Sequence, residues 1–213
     1  MKKLLSCALI LAGGRSTRMG TDKALKRIED KPLLYKLAEG LLDIADRVII
    51  AAGEPSREQV YRDALAELGR DKLISFVFDG DCWGSGPLAG LAAGMAASDE
   101  GYLFVIACDM PDVSKPYVQQ LLAAAAGEEE FDVIHAPNQP FHALYHTRIS
   151  AHIRSALRRE DYRVMKLFEG LRTLEVEPGN RADESFINLN TPKEYQRYIQ
   201  HRGGDLQNDE ESL

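Results

Sequence analysis

Cysteine is scarce in this sequence: Cys7, Cys82 and Cys108 are the only three in 213 residues, and no two form a CxxC pair. An odd, unclustered set excludes a disulfide framework and a cysteine zinc knuckle, and fits reduced thiols in the cytoplasm. Histidine is thin as well. His142 and His146 stand four apart and His152 follows, but the first two lie in a strand-like stretch and no third ligand has zinc spacing. Positive charge is in deficit, with 26 Lys and Arg against 33 Asp and Glu and a net charge of -7. That balance argues against partnership with nucleic acid or an anionic membrane surface. No apolar run approaches the roughly 18 residues of a membrane-spanning helix. The opening MKKLLSCALILAGG imitates an export signal, and LLSC a lipidation site at Cys7. The apolar run is short for that purpose and leads into charge-rich loop chemistry instead of a small-residue cleavage site, so a buried strand is the better expectation. Two phosphate-binding signatures are also missing, GxxxxGK[ST] and GxGxxG; without the second, a nicotinamide-dependent oxidoreductase is excluded.

What remains is the composition of an ordinary core-forming chain, 45% hydrophobic and 28% charged. Residues 4–12 read as a central strand, apolar on both faces. Strands are expected at 47–53, 74–79 and 101–111, and helices at 32–45, 56–69, 86–98 and 114–126, with Gly69 closing one helix and Ser114 capping another. This alternation predicts a single-domain, three-layer α/β/α fold around a mostly parallel, Rossmann-like sheet. The second half is less regular: strands at 132–137 and 141–146, helices at about 149–159 and 162–171, a strand over RTLEVEP. A last helix opens on a capping box, Thr191 as N-cap, Pro192 first and Glu194 third. One domain is expected over 1–202, a nucleotide half to about residue 112 and an acceptor half from 113. The acidic stretch 203–213 is expected to be disordered.

Loops after strand ends carry ligands in such sheets. Three stand out here, after Ala12, Asp79 and Cys108, and they are expected to converge on one edge. In the first, GGRSTRMGTDK, Gly13 and Gly14 allow backbone N–H groups close to an anion. Arg15, Arg18 and Lys23 add three positive charges and Ser16 and Thr17 two hydroxyls, a set suited to a triphosphate. Asp109 ends a wholly apolar strand, where a carboxylate can share Mg²⁺ with phosphate oxygens or can simply cap a turn.

LAGGRSTRMGTDKAL (11–25) resembles the signature LAGGxSxRMGxDK of nucleotidyltransferases. With GPLAGLAAGM (86–95), ACDMP (107–111) and FINLNTPKEY (186–195) in order, the chain most resembles the molybdenum cofactor guanylyltransferases, the MobA family. FHALYH and YRVMKLFEGL match weaker family blocks. The resemblance implies transfer of GMP from GTP to the terminal phosphate of molybdopterin, with release of pyrophosphate and with Mg²⁺ as cofactor. It implies GTP and molybdopterin as substrates, transient contacts with other molybdenum cofactor proteins, and a cytoplasmic setting. The nucleophile is already a phosphate anion, so catalysis needs positioning and charge neutralisation and no strong protein base.

Carried over by resemblance, Lys23, Arg18 and Asp109 are the catalytic set and Asp109 the metal ligand. Leu11, Ala12, Gly13, Gly14, Lys23, Asp79, Gly86, Pro87, Leu88 and Asp109 would bind the nucleotide, and Arg163, Asn188 and Asn190 the acceptor. Gly90, Ala93, Gly94 and Ala97 form a small-residue face for close helix–sheet packing. His142 and Tyr145 are expected to line the acceptor pocket; Trp83 either stacks on a ring or fills space. One departure is visible: the acceptor-half loop that helps to hold the pterin in the family shrinks here to APNQPF. CTP with molybdopterin, or a sugar phosphate acceptor, would use the same chemistry; LAGG and GPLAG resemble the GTP branch. A non-catalytic nucleotide-binding protein would be marked by loss of Lys23 or Asp109, and both are present.

Overall fold

The computed structural model describes residues 3–14, 22–82, 84–179 and 186–200. Arg18, Trp83 and the acidic stretch after Gly203 lie outside them. In chain order the elements are β1 (Leu5–Leu11), a two-residue hairpin β2 (Arg27–Ile28) and β3 (Lys31–Pro32), α1 (Leu33–Ile44), β4 (Ala45–Gly53), α2 (Glu58–Leu65), β5 (Ile74–Phe78), α3 (Pro87–Ala97), β6 (Tyr102–Ala107) and α4 (Lys115–Ala125). There follow β7 (Val133–Ala136), β8 (Gln139–His146), α5 (Ser150–Arg158), α6 (Val164–Leu167), β9 (Thr173–Glu175) and α7 (192–200).

Among the described residues the main sheet has seven strands in the order β5-β4-β1-β6-β8-β7-β9. β5, β4, β1 and β6 run parallel, and β8 alone opposes its neighbours β6 and β7. β1 sits centrally, which explains its unbroken apolar sequence: Ala8, Leu9 and Ile10 are wholly buried because helices cover both faces. Each large aliphatic side chain buried in this way contributes on the order of 2 kcal/mol. Alternate residues of β1 feed two cores. Ala8 and Ile10 join the core beneath α1, α2 and α4, while Leu9 and Leu11 join the one beneath α3 and α5. The mostly parallel α/β/α architecture expected from the alternation is present.

Local sequence accounts for several element ends. Leu33, Leu34, Leu37, Ala38, Leu41 and Leu42 give α1 one buried stripe. Gly69 takes a left-handed conformation after the turn that extends α2. The Ser114 hydroxyl accepts the Tyr117 N–H at 3.3 Å, capping α4. At α7 the capping box is complete: Thr191 Oγ1 accepts the Glu194 N–H at 3.2 Å, and the Glu194 carboxylate accepts the Thr191 N–H at 2.8 Å.

Three expectations change. The helix expected over 162–171 is only Val164–Leu167; Gly170 turns the chain at φ +83°, and Phe168 and Leu171 pack from irregular backbone. The strand expected over 101–111 stops at Ala107, where the Met110 N–H bonds back to the Ala107 carbonyl and closes a turn. The hairpin β2–β3 occupies residues for which the sequence predicts no element, apart from Pro32, which ends β3 instead of opening the helix expected over 32–45. Among the described residues no helix is long and apolar enough to cross a membrane.

Candidate active site

The ends of the parallel strands open into a cavity of about 430 Å³. Leu11 to Gly14 after β1, Asp79 after β5, and Ala107 to Asp109 after β6 all line it. The three strand-end loops singled out in the sequence therefore meet at one edge. Gly86, Pro87 and Gly90 at the start of α3 close one side; Phe141 of β8 and Asn190 close the far end.

Glycine is needed where β1 and β4 leave the sheet. A Cβ on Gly13 would lie 3.0 Å from Gly53 Cα, and one on Gly53, at φ +81°, would lie 3.0 Å from the Gly13 carbonyl oxygen. Two backbones in contact leave no room for a side chain there. On α3, a Cβ at Gly90 would meet Ala51 Cβ at 3.0 Å and Leu11 Cδ2 at 3.2 Å, and one at Gly94 would enter the Leu9 side chain. The close helix–sheet packing rests on these two glycines; Ala93 is half-buried and Ala97 exposed.

Charge concentrates in the middle of the cavity. Lys23 begins a short 3-10 turn, Lys23–Leu25, capped by Asp22, whose carboxylate accepts the Ala24 N–H at 3.0 Å. Its ammonium lies 3.6 Å from Asp109 Oδ2 and donates to Asn190 Oδ1 at 2.9 Å. The Leu189 N–H donates to the Asp109 carbonyl at 2.8 Å. The chain thus returns from β9 to lay residues 186–190 beside the β6 turn, joining the two halves at Lys23, Asp109 and Asn190. At the other end, burial lifts the Asp79 carboxyl to about 6; the Arg57 guanidinium pulls it down and Glu54 pushes it up.

Among the described residues no three His, Cys, Asp or Glu side chains cluster as a ready-made metal cage. One carboxylate at the centre fits an ion that keeps most of its coordination for water and phosphate oxygens, as Mg²⁺ does.

The site residues expected from sequence separate clearly. Leu11, Ala12, Gly13, Gly14, Lys23, Asp79, Gly86, Pro87, Asp109 and Asn190 line the cavity. Leu88 is wholly buried in the core beneath α3. Asn188 is half-buried beside Leu189 without lining the cavity. Arg163 does not line it either: its side chain is 70% exposed and paired with Asp161 at 3.0 Å. Arg18 lies outside the described residues.

His142 and Tyr145, expected at the acceptor pocket, are both fully buried in the two cores. His142 packs edge-on to Phe104 and Tyr117 and against Phe186; burial drives its pKa down to about 3. Sequence reasoning missed Asp22, Arg57, Tyr61 and Phe141. The first three form a network behind the Gly13–Gly14 loop. The available signal was their spacing: Arg57 and Tyr61 stand one helical turn apart at the start of α2, on the side facing the loop.

The profile of the MobA-like NTP transferase domain matches residues 8–176. A probable molybdenum cofactor guanylyltransferase of Peptoclostridium acidaminophilum is 31% identical, over 93% of this chain and 90% of its own length. A molybdenum cofactor guanylyltransferase of Vibrio parahaemolyticus is 30% identical, over 90% of this chain and 94% of its own. Among solved structures, molybdopterin-guanine dinucleotide biosynthesis protein A of Archaeoglobus fulgidus superposes with a TM-score of 0.75 at 20% identity, covering 93% of this chain and 99% of that one. A 2-C-methyl-D-erythritol 4-phosphate cytidylyltransferase of Thermus thermophilus follows the same fold at a TM-score of 0.62 and 16% identity, over 91% of this chain and 97% of its own. The fold by itself does not select the base. Sequence and fold together place this chain in the MobA-like NTP transferase domain family.

Proposed function

We propose that this protein transfers GMP from GTP to the terminal phosphate of molybdopterin, releasing pyrophosphate and forming molybdopterin guanine dinucleotide. One observation carries the reading: a single cavity holds a glycine loop, the Lys23 ammonium and the Asp109 carboxylate, with the half-buried Asp79 at one end and Asn190 at the other. The curated relatives named above share this chain along nearly its whole length.

Each residue has a definable part. Backbone N–H groups around Gly13 face the nucleotide phosphates, where glycine lets them approach closely. Lys23 supplies positive charge to the α-phosphate and the leaving pyrophosphate, the groups that gain charge during an in-line displacement. Asp109 would hold Mg²⁺ together with phosphate oxygens, and the ion, when bound, neutralises charge on the transferring group. Asp79 suits guanine: an ionised carboxylate accepts from the N1–H and the 2-amino group of that base, whereas adenine and cytosine do not offer this pair of donors. Asn190, held by Lys23, presents its amide on the acceptor side. The cytoplasm, where GTP is available, is the setting this reading implies.

Pyrophosphate release with molybdopterin and Mg²⁺, compared across GTP, CTP, ATP and UTP, tests the proposal. Release confined to GTP and dependent on the pterin is the expected result. Release with CTP in place of GTP would reassign the base, and release without the pterin would reassign the acceptor.

A further inference from the structure

After β1 the chain passes Gly13 and Gly14, and Asp22 opens the turn that carries Lys23. Arg57, the residue before α2, together with Tyr61 within α2 contacts both places. Arg57 Nη1 donates to the Ala12 carbonyl at 3.2 Å and to the Gly14 carbonyl at 3.3 Å. Its Nε lies 3.9 Å from Asp22 Oδ2. The wholly buried Tyr61 reaches the same two points: its hydroxyl donates to Asp22 Oδ2 at 2.8 Å and approaches the Ala12 carbonyl at 3.3 Å. Burial, with Asp22 beside it, pushes the Tyr61 phenol well above its usual range and keeps it a donor. The other oxygen of Asp22 caps the turn that carries Lys23.

We propose that Arg57, Tyr61 and Asp22 form a clasp that presets the phosphate loop. The geometry gives the clasp a direction. In a planar trans peptide the N–H points opposite to the preceding C=O. Holding the Ala12 carbonyl toward α2 therefore turns the Gly13 N–H the other way, away from Arg57. Without the clasp the Ala12 and Gly14 carbonyls are free to swing toward the cavity, where their partial negative charge repels phosphate. Through Asp22, the same clasp sets the start of the 3-10 turn and so the place of Lys23. Arg57 and Tyr61 are positioning residues: their contacts are to the loop and to Asp22. The inference rests on the nucleotide reading of the cavity and goes beyond it, because it assigns the conformation of Ala12–Gly14 to side chains at the start of α2, Arg57 before it and Tyr61 within it.

The clasp acts on the phosphates. Because Arg57 also lowers the Asp79 carboxyl, the measurements are made at pH 8, well above the value of about 6 that Asp79 has in the wild type. The carboxylate then stays ionised, and base binding serves as the control. The affinities of GTP and of guanosine are measured by calorimetry for the wild type and for Arg57→Gln, Arg57→Lys and Tyr61→Phe, with thermal unfolding recorded for each. Arg57 is partly exposed, and Tyr61→Phe removes only a hydroxyl, so folded protein is expected from all three. Arg57→Gln is expected to reduce the preference for GTP over guanosine about ten-fold or more, the scale of one lost charge-assisted hydrogen bond. Guanosine binding stays within about two-fold of wild type, less than one weak hydrogen bond. Arg57→Lys, which keeps the charge but not the fork, falls between the two, and Tyr61→Phe gives a smaller loss in the same direction. A wild type that prefers GTP, beside an Arg57→Gln variant with the same preference or with equal losses for both ligands, overturns the clasp alone. A wild type that binds GTP no better than guanosine overturns the nucleotide reading and the clasp with it.

Discussion

The two ends of the cavity are built in different ways. The Asp79 end is made of parallel strands followed directly by loops and helices: β1 into Gly13–Gly14, β5 into Asp79, β6 into Asp109. Each residue there sits where the hydrophobic run of its own strand stops. The Asn190 end is made by the antiparallel strand β8, which contributes Phe141, and by residues 186–190, tied back to β6 by one backbone hydrogen bond and the Lys23 contact. At the first end, each lining loop directly follows its own strand in the chain. At the second, position depends on pairings between segments about 80 residues apart in the chain, Asp109 with Leu189 and Asp112 with Tyr198.

The largest effect that separates the two ends is expected at their junction. Asp109→Asn removes the carboxylate that lies 3.6 Å from the Lys23 ammonium and should lower turnover by about a hundred-fold to a thousand-fold, with unchanged thermal unfolding. Mg²⁺ titration by calorimetry should show tight uptake only when GTP is present, because one carboxylate without phosphate oxygens is a poor site. Turnover within a few-fold of wild type would remove Asp109 from the metal role.

Asp79→Asn should act on the nucleotide end alone. The expected result is a rise of about ten-fold to a hundred-fold in KM for GTP, a smaller change in kcat, and an unchanged KM for the acceptor. Burial lifts the wild-type carboxyl to about 6. The sign follows directly: below that pH the group is protonated and cannot accept two donors, so GTP binding weakens as the pH falls through 6. The Asp79→Asn variant should lack this acid limb, and a limb that survives in it belongs to another group.

Asn190→Ala and Arg163→Ala divide the acceptor end. Asn190 lines the cavity, and its loss should raise the acceptor KM about ten-fold. Arg163 is paired with Asp161 in solvent, and its loss should change the acceptor KM by less than about three-fold, as for an exposed ion pair. The reverse order would mean that the segment carrying α6 moves onto the cavity when the acceptor binds.

The smallest expected effect is on stability. His142 is fully buried, and among the described residues neither ring nitrogen has a partner. Replacing it by Phe should raise the Tm by a few degrees, on the order of 1 kcal/mol. The pH dependence has a definite sign. Burial depresses the folded pKa to about 3 from 6.5, so the unfolded chain takes up a proton first and stability falls as the pH drops below about 6.5. His142→Phe should remove that part of the decline.

The same contrast explains what the sequence made legible. Asp79 and Asp109 could be found because a carboxylate ending an apolar strand is conspicuous, and the capping box at Thr191, Pro192 and Glu194 is a local pattern that the structure keeps. Strand parity defeated the reading of β8. Ala143 and Tyr145 feed one core and His142 and Leu144 the other, while Phe141 reaches the cavity. Alternation alone does not say which face meets which helix; pairing with β6 does. Arg57 and Tyr61 were unremarkable as a surface arginine and a core tyrosine of an amphipathic helix. Their importance comes from the strand exit they face, which is a property of the packed sheet.

Following the α-phosphorus tests the central claim most directly. With Mg²⁺, molybdopterin and GTP labelled at either the α- or the γ-phosphorus, the α-label should appear in a pterin dinucleotide and the γ-label in pyrophosphate, in equal amounts. Release of the γ-label as inorganic phosphate, with no α-label on the pterin, would contradict guanylyl transfer and make the cavity a site of GTP hydrolysis.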